Sequence, residues 1–373
     1  MNINNIFKQY DKKNLTIGVL GSHSALEVCR GAKDEGFRTL VVTQIGRDRP
    51  YNYYFKSQND LGCVDETLAL EKFNEILVKK NQDFLRSKNV IFVPHRSFEV
   101  YLDSDYEAIE NTFKIPMFGN RYMLKIEERS LGFNQYNLLE QAGIRYPKIF
   151  SDPREIDRLC LIKILEKERG FERAFFIVDS YEDYQKKIDE GLKQKIFTKM
   201  QLEQSVIEEF IIGVHVNFNF FYSPIYKRLE LLGTDTRRQT NLEGFSKIPG
   251  FYHQELIKKT GIKYEEAGHI AVTVLESMLS QIYELGERFV TTAEKMFSPG
   301  VIGPFALQSI ITPGPPKKDI VVVDVSPRVP GSPGITSTPY SGYLFGKPIN
   351  VGRRIAIEIK EGLRSNKILT ILT

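Results

Sequence analysis

Leu15-Thr-Ile-Gly-Val-Leu20, followed by Gly21-Ser22-His23-Ser24-Ala25, is the stretch on which the fold turns. The first six residues form a short apolar run rich in β-branched side chains, as a buried strand requires. The next five make a tight polar turn. Leu26–Lys33 then shifts to helical spacing, Gly36 suits a left-handed cap, and Thr39-Leu-Val-Val-Thr43 is a second strand. Together these make one βαβ unit, and ligands of such units sit beyond the carboxyl ends of the strands. The turn lacks the glycine spacing that accommodates a dinucleotide. It carries instead a histidine between two serines, at a helix N-terminus that attracts anions. Two readings stand on these residues: a site for a small phosphorylated or carboxylate ligand, or a polar turn with helix caps.

Working outward, Asn89–Pro94 reads as a third buried strand, with His95-Arg96-Ser97 at its carboxyl end. Two polar turns at the same level of a parallel sheet imply one crevice. Residues 66–80 and 121–145 read as helices. Leu159–Ile164 is a strand carrying Lys163, with Ala174–Val178 as its hairpin partner and the charged stretch Glu166–Arg173 between them. Val206–Ile212, His215–Tyr222 and Leu229–Leu232 are further strands. Ile302–Gln308 pairs with Ile320–Asp324 through the turn Pro313–Pro316, and Ile355–Leu363 is a final amphipathic helix.

Composition narrows the function classes. The chain has 373 residues, 42% hydrophobic and 26% charged, with a formal charge of +4. This is the profile of a globular protein of two or three subdomains. The small charge does not suit a nucleic-acid binder, and no apolar run reaches membrane-spanning length. Cys29, Cys63 and Cys160 are too dispersed for a zinc site or a disulfide framework. Buried thiols and the absence of a signal-like N-terminus indicate a cytoplasmic protein.

Chemistry concentrates in three places. A strand lysine, Lys163, can hold a nucleotide phosphate as a point charge. Glu208-Glu209-Phe210-Ile211, at a strand end, can present backbone groups to a base. Gln308 and Asp324 supply oxygen ligands on paired strands, suited to Mg²⁺ between phosphates. The bland alternatives are a solvated lysine and a surface acidic pair, but a carboxylate ending the apolar run 320–323 must find a cation or donors. His95 either contacts ligand or only orients the Ser97 turn, and His215 lies in either a core or a nucleotide pocket. His253 and His269 read as structural.

The order of these pieces, with Leu20-Gly-Ser-His-Ser24, Gly31–Phe37, Val93-Pro-His-Arg-Ser-Phe98, Phe118-Gly-Asn-Arg121, Phe171–Phe176, Phe221-Tyr-Ser-Pro224, Leu231–Arg238, Thr240-Asn241, Gly303-Pro-Phe305, Thr338-Pro-Tyr-Ser341 and Gly352–Ala356, resembles the archaeal formate-dependent ligases of 5-aminoimidazole-4-carboxamide ribonucleotide (AICAR). The match runs in order along nearly the whole chain. The resemblance implies a Rossmann-like parallel α/β domain (residues 1–122) and an α+β ATP-grasp domain (123–373, with a lid at 145–210 and a larger part at 211–373). It implies ATP, formate and AICAR as reactants, Mg²⁺ or Mn²⁺ as cofactor, formyl phosphate as intermediate, and a homo-oligomer. By similarity, His23, Ser97 and Asn241 contact AICAR. Lys163 and Glu208–Ile211 hold ATP, and Gln308 and Asp324 match the metal positions. Arg237, Arg238 and Arg328 are candidates for stabilising the formyl phosphate. There are departures. Gln308 and Asp324 stand where glutamates are usual, Ser326-Pro-Arg-Val-Pro330 carries extra prolines, and Glu166–Arg173 is charged rather than glycine-rich. They keep open a ligase of another carboxylate and amine, and a non-catalytic nucleotide-binding paralogue.

Overall fold

The computed structural model describes residues 3–129, 131–163, 175–203, 205–238, 241–245, 247–261, 267–314 and 317–373. The stretch Glu166–Arg173, most of Phe171–Phe176, Thr240 and the prolines at 315 and 316 lie outside the described residues.

Three sheets organise the chain. The first contains β1 (Thr16–Leu20), β2 (Arg38–Gln44), β3 (Glu66–Leu70) and β4 (Val90–Phe92), in the order β3-β2-β1-β4 with every pair parallel. All five residues of β1 are buried, which is why that run is apolar without alternation. The second sheet joins β5 (Ile149–Phe150), β6 (Cys160–Lys163), β7 (Phe175–Val178) and β8 (Val206–Glu209) in the antiparallel order β5-β8-β6-β7. The third is antiparallel: β9 (Val214–Ser223), β10 (Arg228–Arg238), β11 (Gly268–Ala271), β12 (Gly303–Thr312) and β13 (Asp319–Ser326), ordered β11-β10-β9-β12-β13.

Two sequence expectations fail locally. Residues 66–80 are not one helix. Glu66–Leu70 pairs with β2 as an edge strand, and the helix begins only at Lys79. A short apolar run is ambiguous between the two periods, and pairing along an open sheet edge decides it. Residues 121–145 split as well. A 3₁₀ stretch, Arg121–Glu127, stops before Gly132, and a separate helix, Gln135–Gln141, starts from an Asn134 capping box.

The third sheet has one apolar and one polar face. Phe218, Phe220, Phe305 and Leu307 pack under the helix Leu279–Met296 through Ile282 and Phe289. The alternate residues face the opposite way and build the site. The chain then returns to its beginning. The helix Val351–Arg364 lies on the helix Ala25–Asp34, its Gly352 against Gly31. The core under the first sheet accordingly mixes Ile17, Val19 and Val28 with Ile355, Ile359 and Leu372.

Candidate functional site

The two strand-end turns meet. Ser97 Oγ donates to Ser22 Oγ at 3.1 Å, joining the turn after β4 to the turn after β1. His95 is fully buried: its Nε2–H donates to Leu20 O at 2.8 Å and its Nδ1 accepts from Ser97 N at 3.2 Å. His95 therefore orients the Ser97 turn. Burial pushes its pKa down to about 4, so it stays neutral. The His23 ring stacks on His95 with centroids 5.2 Å apart, from a backbone held at φ 51°. A non-glycine residue in that conformation is strained, and such strain persists where the surroundings fix it. His23 is solvent-reachable, yet protein surrounds it on most sides. Burial, then the fields of His95, Arg328, His269 and Arg237, lower its pKa to about 2. Of these, His269 and Arg237 stand on the third sheet.

The polar face of that sheet is a cross-strand row. Asp324 on β13 is opposite Gln308 on β12, Gln308 opposite Asn217 on β9, and Asn217 opposite Asp235 on β10. Directly opposed residues share a face, so four polar side chains line up across the strands. Asp235 is buried and accepts from Asn217 at 2.9 Å, Asn219 at 2.7 Å and His269 at 2.5 Å. Burial alone would raise its pKa, but these donors outweigh it and hold the carboxyl below its usual range. Arg237 is opposite His269 at the same end of the row.

Gln308 and Asp324 meet, but not as two bare oxygen ligands. Gln308 Nε2 donates to Asp324 Oδ2 at 2.8 Å, while Oδ1 accepts from Gln135 at 3.0 Å and Arg129 at 3.3 Å. Three N–H groups surround one carboxylate. Among the described residues no group of three or more His, Cys, Asp or Glu is arranged to hold a metal. This donor set does not fit a resident divalent ion, because hard cations take several oxygens; the local positive charge is a guanidinium.

Lys163 Nζ is 2.6 Å from Glu208 Oε1, and Tyr136 OH donates to Glu208 Oε2 at 2.9 Å. Glu209 N–H and Phe210 N–H are bonded to Lys148 O and Leu159 O, whereas the Ile211 side chain packs on Ile310 and Val321. Arg328 is buried. It pairs with Glu127 at 2.8 Å and lies 3.6 Å from Glu99, beside Arg96. Burial, then the neighbouring Glu127, raises the Glu99 pKa to about 8. Arg238 pairs at the surface with Glu243, and Asn241 donates to Gly261 O at 3.2 Å.

The segment carrying Glu127, Arg129, Gln135 and Tyr136 thus reaches three charge clusters, at Arg328, Asp324 and Glu208. Sequence reasoning saw only a charged stretch there. Asn217, Asn219 and Asp235 were missed too. The strand alternation of His215, Asn217 and Asn219 with phenylalanines was the available signal.

Comparison with known proteins places this arrangement. A family model described as a domain of unknown function (DUF1297) matches residues 183–373, and one described as a protein of unknown function (DUF1246) matches residues 17–150. The chain is 38% identical over 357 residues to a 5-formaminoimidazole-4-carboxamide-1-(beta)-D-ribofuranosyl 5'-monophosphate synthetase of Methanopyrus kandleri, covering 95% of this chain and 94% of that one. It is 37% identical to the protein of that name from Methanocaldococcus jannaschii, over 99% of this chain and 98% of the other. The chain belongs to this synthetase family. A crystal structure of an IMP biosynthesis protein PurP from Thermococcus kodakaraensis superposes with a TM-score of 0.69 at 29% identity, covering 96% of this chain and all of that one. An N5-carboxyaminoimidazole ribonucleotide synthetase in an ADP complex shares the fold, with a TM-score of 0.55 at 10% identity over 90% of this chain and 78% of that one. The fold of this synthetase-family chain is therefore ATP-grasp, as its sequence pattern implied.

Proposed function

We propose that the chain is an ATP-dependent carbon–nitrogen ligase that joins formate to the amine of AICAR, giving formyl-AICAR, ADP and phosphate. Family membership is the observation that carries this reading. The meeting of the two turns and the polar row support it. Formate is inert as an acyl donor until one of its oxygens takes the γ-phosphoryl group. The arylamine nitrogen then attacks the formyl carbon, the C–O bond to phosphate breaks, and phosphate leaves with the oxygen that formate brought. Little covalent work falls to the protein, whose tasks are positioning and charge neutralisation.

The residues divide accordingly. Lys163, fixed against Glu208, serves the ATP phosphates, and the chain around Glu208–Ile211 serves the base. His23, Ser97 and Asn241 serve AICAR. Arg237, opposite His269 at the end of the polar row, serves the acyl phosphate. Arg328 is held by Glu127 and Glu99 and acts on the site as a buried field, while Arg238 lies at the surface with Glu243. Magnesium enters as the partner of the nucleotide's own phosphates, and no step is routed through an ion held by Gln308 and Asp324. Self-association and a cytoplasmic location belong to the same proposal. The testing experiment is phosphate release by purified protein with MgATP, formate and AICAR, omitting each in turn. Release that needs all of them supports the reading. Release restored only by another carboxylate overturns the choice of formate.

A further inference from the structure

The Oγ of Ser24 lies 2.9 Å from Pro330 O and 2.8 Å from His23 Nδ1. Pro330 O has no hydrogen to give, so the single Ser24 hydroxyl proton goes to it. Ser24 Oγ must then accept, and the hydrogen between Ser24 and His23 belongs to Nδ1. A neutral imidazole carries one N–H, which leaves Nε2 with a bare lone pair. Ser24 is buried and reaches across 306 positions for this contact, so a helix cap is not its task; it makes no side-chain cap bond.

A glycine packs close over the face of that imidazole ring. A Cβ at Gly331 would lie 2.7 Å from His23 Nε2 and 2.9 Å from Cε1. Gly331 is not among the glycines with positive φ, so its backbone does not demand glycine. The room for the His23 ring does.

We propose that Ser24 makes His23 Nε2 an obligate hydrogen-bond acceptor and that Gly331 gives the ring room to stand in this orientation, so that the pocket selects a ligand presenting an N–H at that atom, the aromatic amine. Ser24 and Gly331 are positioning residues acting through His23. The inference about the amine rests on the function proposed above; the tautomer does not. The charged and titratable groups facing His23 are His95, Arg328, His269 and Arg237, and all of them disfavour a proton on its ring. His23 therefore orients the amine without carrying its proton away. The proton released on attack passes to the departing phosphate, whose oxygens are the bases formed in that same step.

The test uses the full chain labelled with ¹⁵N-histidine, whose five histidines permit assignment of His23 by difference with His23→Gln. Without any ligand, the expected spectrum shows a protonated Nδ1 and an unprotonated Nε2, unchanged from pH 6 to 8. Ser24→Ala should convert this to a mixture of tautomers. A protonated Nε2, or titration within that range, overturns the assignment. Calorimetric binding then compares AICAR with the analogue bearing hydrogen in place of the amine. Wild type should prefer AICAR about tenfold, as one hydrogen bond to a bare acceptor is worth, and Gly331→Ala should abolish the preference. Equal affinity of wild type for both ligands overturns the selection while leaving the ligase reading intact. If wild type binds neither, the substrate itself is wrong and the claim about the amine falls with it, but the tautomer result still stands.

Discussion

Lys163 and Glu208 are 2.6 Å apart on neighbouring strands, and Glu208 also accepts from Tyr136. Removing the ammonium leaves a buried carboxylate without its cation and the nucleotide without a point charge. We expect Lys163→Ala to weaken ATP binding at least tenfold in calorimetry with little change in AICAR affinity. An unchanged ATP affinity would remove Lys163 from the nucleotide site. A second residue-scale expectation concerns Gln308. Its amide is spent on Asp324. Gln308→Glu places two carboxylates together, and such a pair relieves its repulsion by binding a cation. Mn²⁺ binding followed by electron paramagnetic resonance should tighten in Gln308→Glu relative to wild type. Equal binding would show that Asp324 already holds an ion as it stands. The meeting of the His23 and Ser97 turns was legible because both end parallel strands. The Arg129–Asp324 and Asp235–His269 pairs were not, because nothing local in a sequence joins residues 195 or 34 positions apart.

At the scale of elements, strands flanked by polar turns were readable, since their apolar runs are buried on both faces. The error at residues 66–80 came where an edge strand carries polar side chains, and only its β2 neighbour distinguishes it from a helix. The contact between the helices Ala25–Asp34 and Val351–Arg364 was equally hidden. There a Cβ on Gly31 would lie 1.9 Å from Arg353 N. Gly31→Ala should therefore destabilise by about 1–3 kcal/mol through overpacking, read as a lowered Tm, with an unchanged Tm disproving the close crossing. The same junction holds Glu27, buried and accepting from Val351 N. Burial raises its pKa to about 7, against the pull of that N–H. The folded state thus binds the proton more tightly than the unfolded one. The stability this contributes is complete below the unfolded value and is lost as pH rises through about 7. Glu27→Gln should remove that loss, on the order of 3 kcal/mol between pH 4 and 8. Parallel denaturation profiles for the two proteins would contradict it.

Across the whole molecule, Thr373 is tied back to the stretch between residues 109 and 121. Arg121 is buried and donates to the carbonyls of Ile109, Phe113, Ile115 and Thr373, at 2.6–3.1 Å. Arg121→Leu takes a donor from each of these four oxygens, Thr373 O keeping the N–H of Met117, and we expect a loss of about 3 kcal/mol or more in urea unfolding. The segment from Glu127 to Tyr136 then links the charge clusters at Arg328, Asp324 and Glu208, so one stretch ties the three together. The most direct measurement of the central claim uses formate labelled with ¹⁸O on both oxygens, supplied with ATP and AICAR. Mass spectrometry should find AICAR carrying a formyl group with one labelled oxygen, and the other label in inorganic phosphate. Unlabelled phosphate, or AICAR recovered unformylated while ATP is consumed, would contradict the proposed ligase.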